Sequence, residues 1–254
     1  MSGRRTRGPA LGALQAAIAM LTRLPVGASA EIGTGAAAFP LVGAAIGAAA
    51  AVPILALPAR DALIAAALSV VVLVVVSGAL HLDGLADSAD FLAAPDPAGA
   101  ERARLDPRVG AAGAAAIVLV LILDVACLAV LAGTDRWLAA GVLVASCAAS
   151  RASIAMLARG VSHRRDGLGA WFADGTSRVA AVASAIVLVV IVGIVSLAGR
   201  AAVPAVAALA AVAVAGPALA LLARAQAGAT GDVYGAAIEL GLSAGLIAAA
   251  AFRP

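Results

Sequence analysis

A ten-residue stretch from His81 to Asp90 brings three carboxylates into a chain that is otherwise almost all hydrocarbon; it reads HLDGLADSAD. At 100° per residue, Asp83, Asp87 and Asp90 fall within about 60° of one another on a helix. Like charges on one face repel unless a cation neutralises them, and a divalent metal with phosphate as co-ligand is the usual reason for such a face. We therefore expect these three aspartates to be catalytic ligands of Mg²⁺ that acts on a phosphorylated substrate. The alternative is an acidic helix end exposed to solvent.

Arginines follow the acidic stretch, and arginine binds phosphate in a planar two-point fork. Beside a Mg²⁺ site, Arg104 and Arg108 would hold a diphosphate and stabilise the charge of its transition state. The alternative for Arg104 is a charge that merely anchors the chain at a membrane surface. Gly110 allows close approach of the substrate to the backbone. Asp106 is a candidate to complete the metal shell or to serve as the base.

Five further candidates complete the set. Thr230, Gly231 and Asp232 form a small-residue segment suited to contact a phosphate or a metal, and Asp232 is the second candidate for the base. His81 could orient a carboxylate, act as a general base or cap the preceding helix. Arg151 lies inside an apolar run, where a charge needs a partner, and the acidic stretch is within reach.

The composition decides which elements must position these residues. The chain is 64% hydrophobic and 12% charged, with a mean hydropathy of +1.09, which is too little polar surface to cover a water-soluble globule. We predict one all-α domain over residues 1–254, a polytopic helical bundle in the lipid bilayer. Six clear spans and a weaker seventh are expected at 39–57, 62–80, 111–133, 137–158, 179–198, 201–223 and 236–252. Basic patches with interleaved aromatic residues are absent from the sequence, which argues against nucleic-acid binding.

Segments outside the spans indicate the sidedness. Residues 10–24 are expected to form an interfacial helix, and this reading is favoured over a signal peptide cleaved at 28–30 because polar residues interrupt the apolar run. Arginines concentrate at the N-terminus and in the long connections 81–110, 159–178 and 224–235, so these are predicted to be cytoplasmic. The candidate site residues share that side. The connection at 159–178 either contacts an anionic substrate or forms a solvated turn, and the second interpretation is favoured.

The chain resembles the adenosylcobinamide-GDP ribazoletransferase (cobalamin synthase) family. The resemblance rests on TRLP at 22–25, FPLVG at 39–43, HLDGLADSAD at 81–90, DPRVGAAG at 106–113 and TGDVYGA at 230–236. Three positions depart from the family pattern: Phe91 and Ala229 stand where glycine is usual, and Ala112 stands where phenylalanine is usual. None of the departures removes a charged group, but the chain after Asp90 is expected to have a different shape.

The resemblance implies a Mg²⁺-dependent enzyme of the bacterial cytoplasmic membrane. A hydroxyl of α-ribazole, or of its 5′-phosphate, would attack the cobinamide-proximal phosphorus of adenosylcobinamide-GDP and release GMP, the last step of cobalamin assembly. The sequence leaves open whether the chain forms a homo-oligomer or associates with other enzymes of that assembly.

Two other functions are weighed against this one. A CDP-alcohol phosphotransferase would need an arginine where Ser88 stands. A cation-coupled transporter predicts polar residues near the middle of several spans, and Asp124 and Arg151, the two charged residues within the six clear spans, are expected to lie at different depths.

Overall fold

The computed structural model describes residues 9–26, 32–164, 167–199 and 202–253. Arg4, Arg5, Arg7, Arg165 and the candidate cleavage site at 28–30 lie outside the described residues. Within them the chain forms eleven α-helices and no β-strand, which confirms the all-α prediction. The helices are α1 (Pro9–Leu21), α2 (Phe39–Ala56), α3 (Ala62–Ser77), α4 (Leu80–Ala93), α5 (Pro97–Leu105), α6 (Ala111–Thr134), α7 (Arg136–Leu157), α8 (Leu168–Gly175), α9 (Arg178–Ala198), α10 (Val203–Ala225) and α11 (Gly231–Ala251).

Seven of these helices are long and apolar enough to cross a membrane, namely α2, α3, α6, α7, α9, α10 and α11. Helices are the expected solution, because a helix satisfies its own backbone polar groups in lipid. The weaker seventh span is confirmed, and it begins at Gly231 rather than at residue 236. The predicted interfacial helix is α1, which ends at Leu21.

Two helices form the centre of the bundle. In α7 and α11, 78% and 72% of the apolar window is buried inside the protein, against 11% in α9. Small residues allow this close packing: a Cβ on Gly47 of α2 would lie 2.8 Å from the carbonyl oxygen of Leu143 on α7. Helix α4, which contains the acidic stretch, packs against this centre.

The chain turns sharply between α3 and α4, within the predicted second span. Gly78 and Ala79 both adopt left-handed backbone conformations, with φ of 62° and 57°. The side chain of Arg23, which follows α1, packs directly over Gly78, where a Cβ would collide with it. The second span therefore ends at Ser77, not at residue 80, and the acidic stretch forms a separate helix.

The long connections predicted as loops are largely helical. The first contains α4 and α5, and the second contains α8. Thr230 caps α11 by accepting a hydrogen bond from the backbone N–H of Val233 at 3.3 Å, so the Thr-Gly-Asp segment is a helix start. Phe91 lies in the last turn of α4, which continues to Ala93.

Candidate functional site

The acidic helix α4 crosses the start of α11 at very short range. A Cβ on Gly84 would lie 2.6 Å from the carbonyl oxygen of Asp232, and one on Gly235 would lie 3.1 Å from the Cα of His81. Glycine at both positions lets the two backbones touch. This crossing brings the fourth carboxylate, Asp232, against the three of α4.

The carboxylates at this crossing act on one another electrostatically. Burial, and then the negative charges of Asp232, Asp83 and Asp90 in that order, together raise the pKa of Asp87 to about 6. The charge from α11 therefore acts on Asp87 more strongly than either charge from its own helix. Asp83 is exposed, whereas Asp87 and Asp232 are half-buried. Asp83, Asp87 and Asp232 are hereafter called the acidic cluster.

Asp90 has a structural partner that the sequence did not indicate. Its carboxylate accepts hydrogen bonds from the backbone N–H of Gly110 at 2.7 Å and of Gly113 at 2.8 Å. These are unpaired donors at the N-terminus of α6, where an acceptor and a negative charge are both stabilising. Asp90 thus joins the end of α4 to the start of α6.

Asp106 and Arg108 are paired with each other at the surface. Arg108 donates from Nε to Oδ1 of Asp106 at 2.9 Å and from an Nη to Oδ2 at 2.8 Å, and its backbone N–H also donates to Oδ1 at 3.0 Å. These bonds lower the pKa of Asp106 to about 2. The Arg108 side chain is 86% exposed.

Two other arginines converge on Glu101 beside the cluster. Arg104 of α5 donates to Glu101 at 2.6 Å, and Arg164 from the second connection donates to the same carboxylate at 3.4 Å. Arg104 is also near enough to Asp232 for its charge to act on that carboxylate. Arg104, Glu101 and Arg164 are hereafter called the basic rim. The sequence left the segment of Arg164 open to contact with an anionic substrate or to a solvated turn, with the turn favoured, and it did not single out Glu101.

The second connection is in fact folded against the start of α11. The backbone N–H of Ala229 donates to the carbonyl of Ser162 at 2.8 Å, and Gly228, with φ of 137°, leaves no room for a Cβ beside Arg164. Arg164 also donates to the carbonyl of Gln226 at 3.4 Å. These contacts explain how a residue far from α4 in the sequence reaches the site.

Ser88 and Gln226 fix the other side of α4. The Gln226 amide donates to the Ser88 hydroxyl at 3.2 Å, and both side chains are buried. Ser88, which stands where a CDP-alcohol phosphotransferase would carry arginine, thus has a packing role. Gly231 and Thr230 complete the first turn beside Asp232.

A separate buried polar layer lies deeper in the bundle. Asp124, Arg151 and Glu239 border one small cavity; the Ser243 hydroxyl donates to Asp124 at 2.6 Å, and Nδ1 of His81 lies 3.6 Å from Glu239. Asp124 and Arg151, which were expected at different depths, therefore border the same cavity.

Arg151 and His81 belong to this layer. Arg151 is 1% exposed and bonds Ser150 at 3.0 Å, while burial lowers the pKa of His81. The cavity of about 10 Å³ has room for about one water, so the layer is not a passage for a larger solute.

The donor set of the acidic cluster suits a hard cation. Mg²⁺ prefers carboxylate oxygens and is usually held by one or two of them together with waters and substrate phosphates. In the described ranges, no three histidine, cysteine, aspartate or glutamate side chains enclose a common metal position. The arrangement fits a metal that shares its ligands with a phosphorylated substrate, and the mutual repulsion at Asp87 is what such a cation relieves.

Comparison with known proteins assigns the sequence of this chain to a family. The model of the cobalamin-5-phosphate synthase family matches residues 13–250. An adenosylcobinamide-GDP ribazoletransferase of Escherichia coli (strain K12 / DH10B) is 35% identical over 245 residues, which cover 89% of this chain and 94% of that protein.

Two further relatives carry the same name. The protein of Azorhizobium caulinodans is 37% identical over 194 residues, covering 68% of this chain and 69% of the relative. That of Pseudomonas paraeruginosa is 38% identical over 165 residues, covering 62% of this chain and 66% of its own length, just under two thirds. No solved structure matches the chain significantly. The chain belongs to the cobalamin-5-phosphate synthase family.

Proposed function

We propose that this protein transfers the adenosylcobinamide-phosphate group of adenosylcobinamide-GDP to a hydroxyl of α-ribazole or its 5′-phosphate. The observation that carries the proposal is the crossing of α4 and α11, which sets the acidic cluster beside the basic rim. Carboxylates for a metal next to arginines for a diphosphate are the parts that phosphoryl transfer requires. The names of the relatives supply the substrates.

The reaction breaks the phosphoanhydride bond of the donor diphosphate and forms a phosphoester bond to the acceptor. The acceptor hydroxyl forms an O–P bond to the cobinamide-proximal phosphorus, the bond to the bridging oxygen breaks, and GMP leaves with that oxygen. Asp232 receives the hydroxyl proton. It is the better of the two candidates for the base because both oxygens of Asp106 are bonded to Arg108.

The cofactor we propose is Mg²⁺, held by Asp83 and Asp87 with the substrate diphosphate completing its shell. When bound, it neutralises charge on the diphosphate oxygens and so favours attack at phosphorus. Arg104 and Arg164 neutralise the remaining phosphate charge, since their guanidinium groups already donate hydrogen bonds to the carboxylate of Glu101. Asp90 contributes by fixing α4 to α6.

We further propose that the site faces the cytoplasm of a bacterial cell. The concentration of arginine on the side of α4, α5 and α8 supports this orientation. A single cysteine introduced at Arg102, which is exposed, should react with a membrane-impermeant maleimide only after right-side-out vesicles are opened. Labelling in sealed vesicles would show that the site faces the opposite side of the membrane.

The activity is tested on membranes that contain the protein, incubated with adenosylcobinamide-GDP and α-ribazole. We expect GMP and a cobalamin product in the presence of Mg²⁺ and neither product when the metal is chelated. Asp87→Ala should abolish transfer while the protein still elutes as a folded species in detergent. The matched control is Asp61→Ala, which changes an aspartate beyond the opposite end of α3; it should keep full activity. Normal turnover by Asp87→Ala would contradict the assignment of Asp87 as a ligand of Mg²⁺.

A further inference from the structure

A small pocket opens directly beside the acidic cluster. It has a volume of about 160 Å³ and lies between the end of α1, the first residue of α2, the first turn of α4, α7 and the start of α11. Met20, Phe39, Ile154 and Ile238 supply its apolar lining. Asp83 and Asp232 also line it, so one side of the pocket belongs to the reaction site.

The aromatic walls of this pocket are fixed by their neighbours. Phe39 stacks on Phe172, with ring centroids 5.2 Å apart and an angle of 17° between planes. Tyr234 meets the same Phe172 edge-on at 5.5 Å. Phe172 is fully buried, so both walls are held without a ligand. A pocket preformed in this way spares the ligand the cost of ordering its walls.

Tyr234 lines the pocket, and its side chain carries an unpaired polar group. Tyr234 is 2% exposed, and its hydroxyl is buried without a hydrogen-bond partner among the described residues. Leaving a buried hydroxyl unpaired costs about 1–3 kcal/mol. A ligand that offers a hydrogen-bond acceptor within an apolar ring system would supply the missing partner.

Larger cavities of the protein have a different character. Those of about 360, 470 and 500 Å³ are bordered, in the described residues, mainly by apolar side chains on α1, α2, α3, α7, α9 and α10, with no aspartate or glutamate among them. Such surfaces suit lipid tails. The pocket beside the cluster differs because apolar walls meet two carboxylates there.

We propose that this pocket receives the flat aromatic base of the acceptor nucleoside and thereby places the ribose hydroxyl next to Asp232. The assignment rests on the proposed transferase function. An apolar cavity of about 150 Å³ is known to hold benzene, so the pocket is of the right size for one or two fused rings and far too small for a corrin. The ring nitrogen of such a base that does not carry the ribose is a hydrogen-bond acceptor of the kind that the Tyr234 hydroxyl lacks.

The test is a series of acceptor nucleosides whose bases are a single imidazole ring, a fused two-ring benzimidazole and a three-ring naphthimidazole. Wild-type protein should use the first two and discriminate against the third. Ile154→Ala enlarges the pocket, so the ratio of kcat/KM for the three-ring to the two-ring acceptor should rise by about tenfold or more. Because both acceptors are measured on the same preparation, the ratio does not depend on how much of the variant folds. Ile154→Val gives a milder change in the same direction.

The matched control is Ile54→Ala, an equally buried isoleucine of α2 that does not line the pocket. It should leave the ratio unchanged. Equal ratios in Ile154→Ala, Ile154→Val and wild type would overturn the pocket assignment while the transferase function stands. Absence of GMP release from the wild type with every acceptor would instead overturn the function itself. If Ile54→Ala changes the ratio as much as Ile154→Ala does, the selectivity for base size does not arise in this pocket, and the assignment is wrong.

Discussion

The carboxylate of Asp90 lies 2.8 Å from the backbone nitrogen of Gly113, and the same group bonds Gly110 twenty residues along the chain. An aspartate from the acidic signature therefore caps a membrane-spanning helix. The bond couples α4, which carries the acidic cluster, to α6, which begins where the connection containing α5 ends.

Asp90→Ala should destabilise the protein even when no metal is present. Loss of an N-cap costs about 0.5–2 kcal/mol, and a charged acceptor for two backbone donors is at the upper end of that range. Thermal unfolding in detergent with a chelator measures the effect. Asp96→Ala, which removes the Gly99 bond at the start of the exposed helix α5, is the matched cap deletion. Because α5 is short and exposed, the midpoint temperature of thermal unfolding should fall less for Asp96→Ala than for Asp90→Ala. Equal midpoints for wild type and Asp90→Ala would contradict the capping role.

Gly84→Ala should lower kcat/KM about a hundredfold, the effect expected of a displacement near 1 Å in a reaction site. Its Cβ would lie 2.6 Å from the backbone oxygen of Asp232, and backbone cannot rotate away as a side chain can. The two helices must separate, and the acidic cluster with them. The control is Gly133→Ala near the end of α6, where the nearest atom is 3.8 Å away. Similar kinetics for both variants would mean that the close crossing has no part in activity.

The membrane helices could be predicted from hydropathy because lipid forces every backbone polar group to bond within its own helix. Hydropathy does not detect a polar first turn, and for this reason the start of α11 at Gly231 and Asp232 was missed. The break before α4 was missed for another reason. Alanine rarely adopts a left-handed conformation. Ala79 does so here because the packing of Arg23 on Gly78 sets the turn.

Part of the site follows from helical periodicity and part does not. The shared face of Asp83 and Asp87 is a property of one helix, so spacing suffices to predict it. The approach of Asp232 depends on two glycines at a helix crossing, and the bond from Arg164 to Glu101 joins residues 63 positions apart. The charge pattern of either segment alone contains no sign of those contacts.

Turnover at low Mg²⁺ should depend on pH through Asp87. Its pKa is raised to about 6, first by burial and then by the charges of the neighbouring aspartates. Above that pH the carboxylate is free to bind the metal, whereas below it Mg²⁺ must displace a proton. The Mg²⁺ concentration for half-maximal GMP release should therefore be nearly constant above pH 7 and rise about tenfold between pH 7 and pH 5. The control variant Asp61→Asn, which changes an aspartate outside the acidic cluster, should show the same rise in the half-maximal Mg²⁺ concentration. A half-maximal concentration that does not change with pH would show that Asp87 is not a ligand.

Arg164→Ala should raise the KM for adenosylcobinamide-GDP far more than Arg108→Ala does. Arg164 reaches the basic rim through Glu101, while Arg108 is 86% exposed and paired with Asp106. An arginine–phosphate contact is a charge-assisted bond of about 1.5–3 kcal/mol, so we expect a tenfold or larger effect at Arg164 and about twofold at Arg108. Glu101→Gln provides a test in the opposite direction. Glu101 competes with phosphate for both arginines, so its neutralisation should lower the KM for the donor without changing that for the acceptor. If Glu101→Gln instead raises the donor KM, the carboxylate holds the arginines in position, and the rim acts through their geometry rather than through their charge.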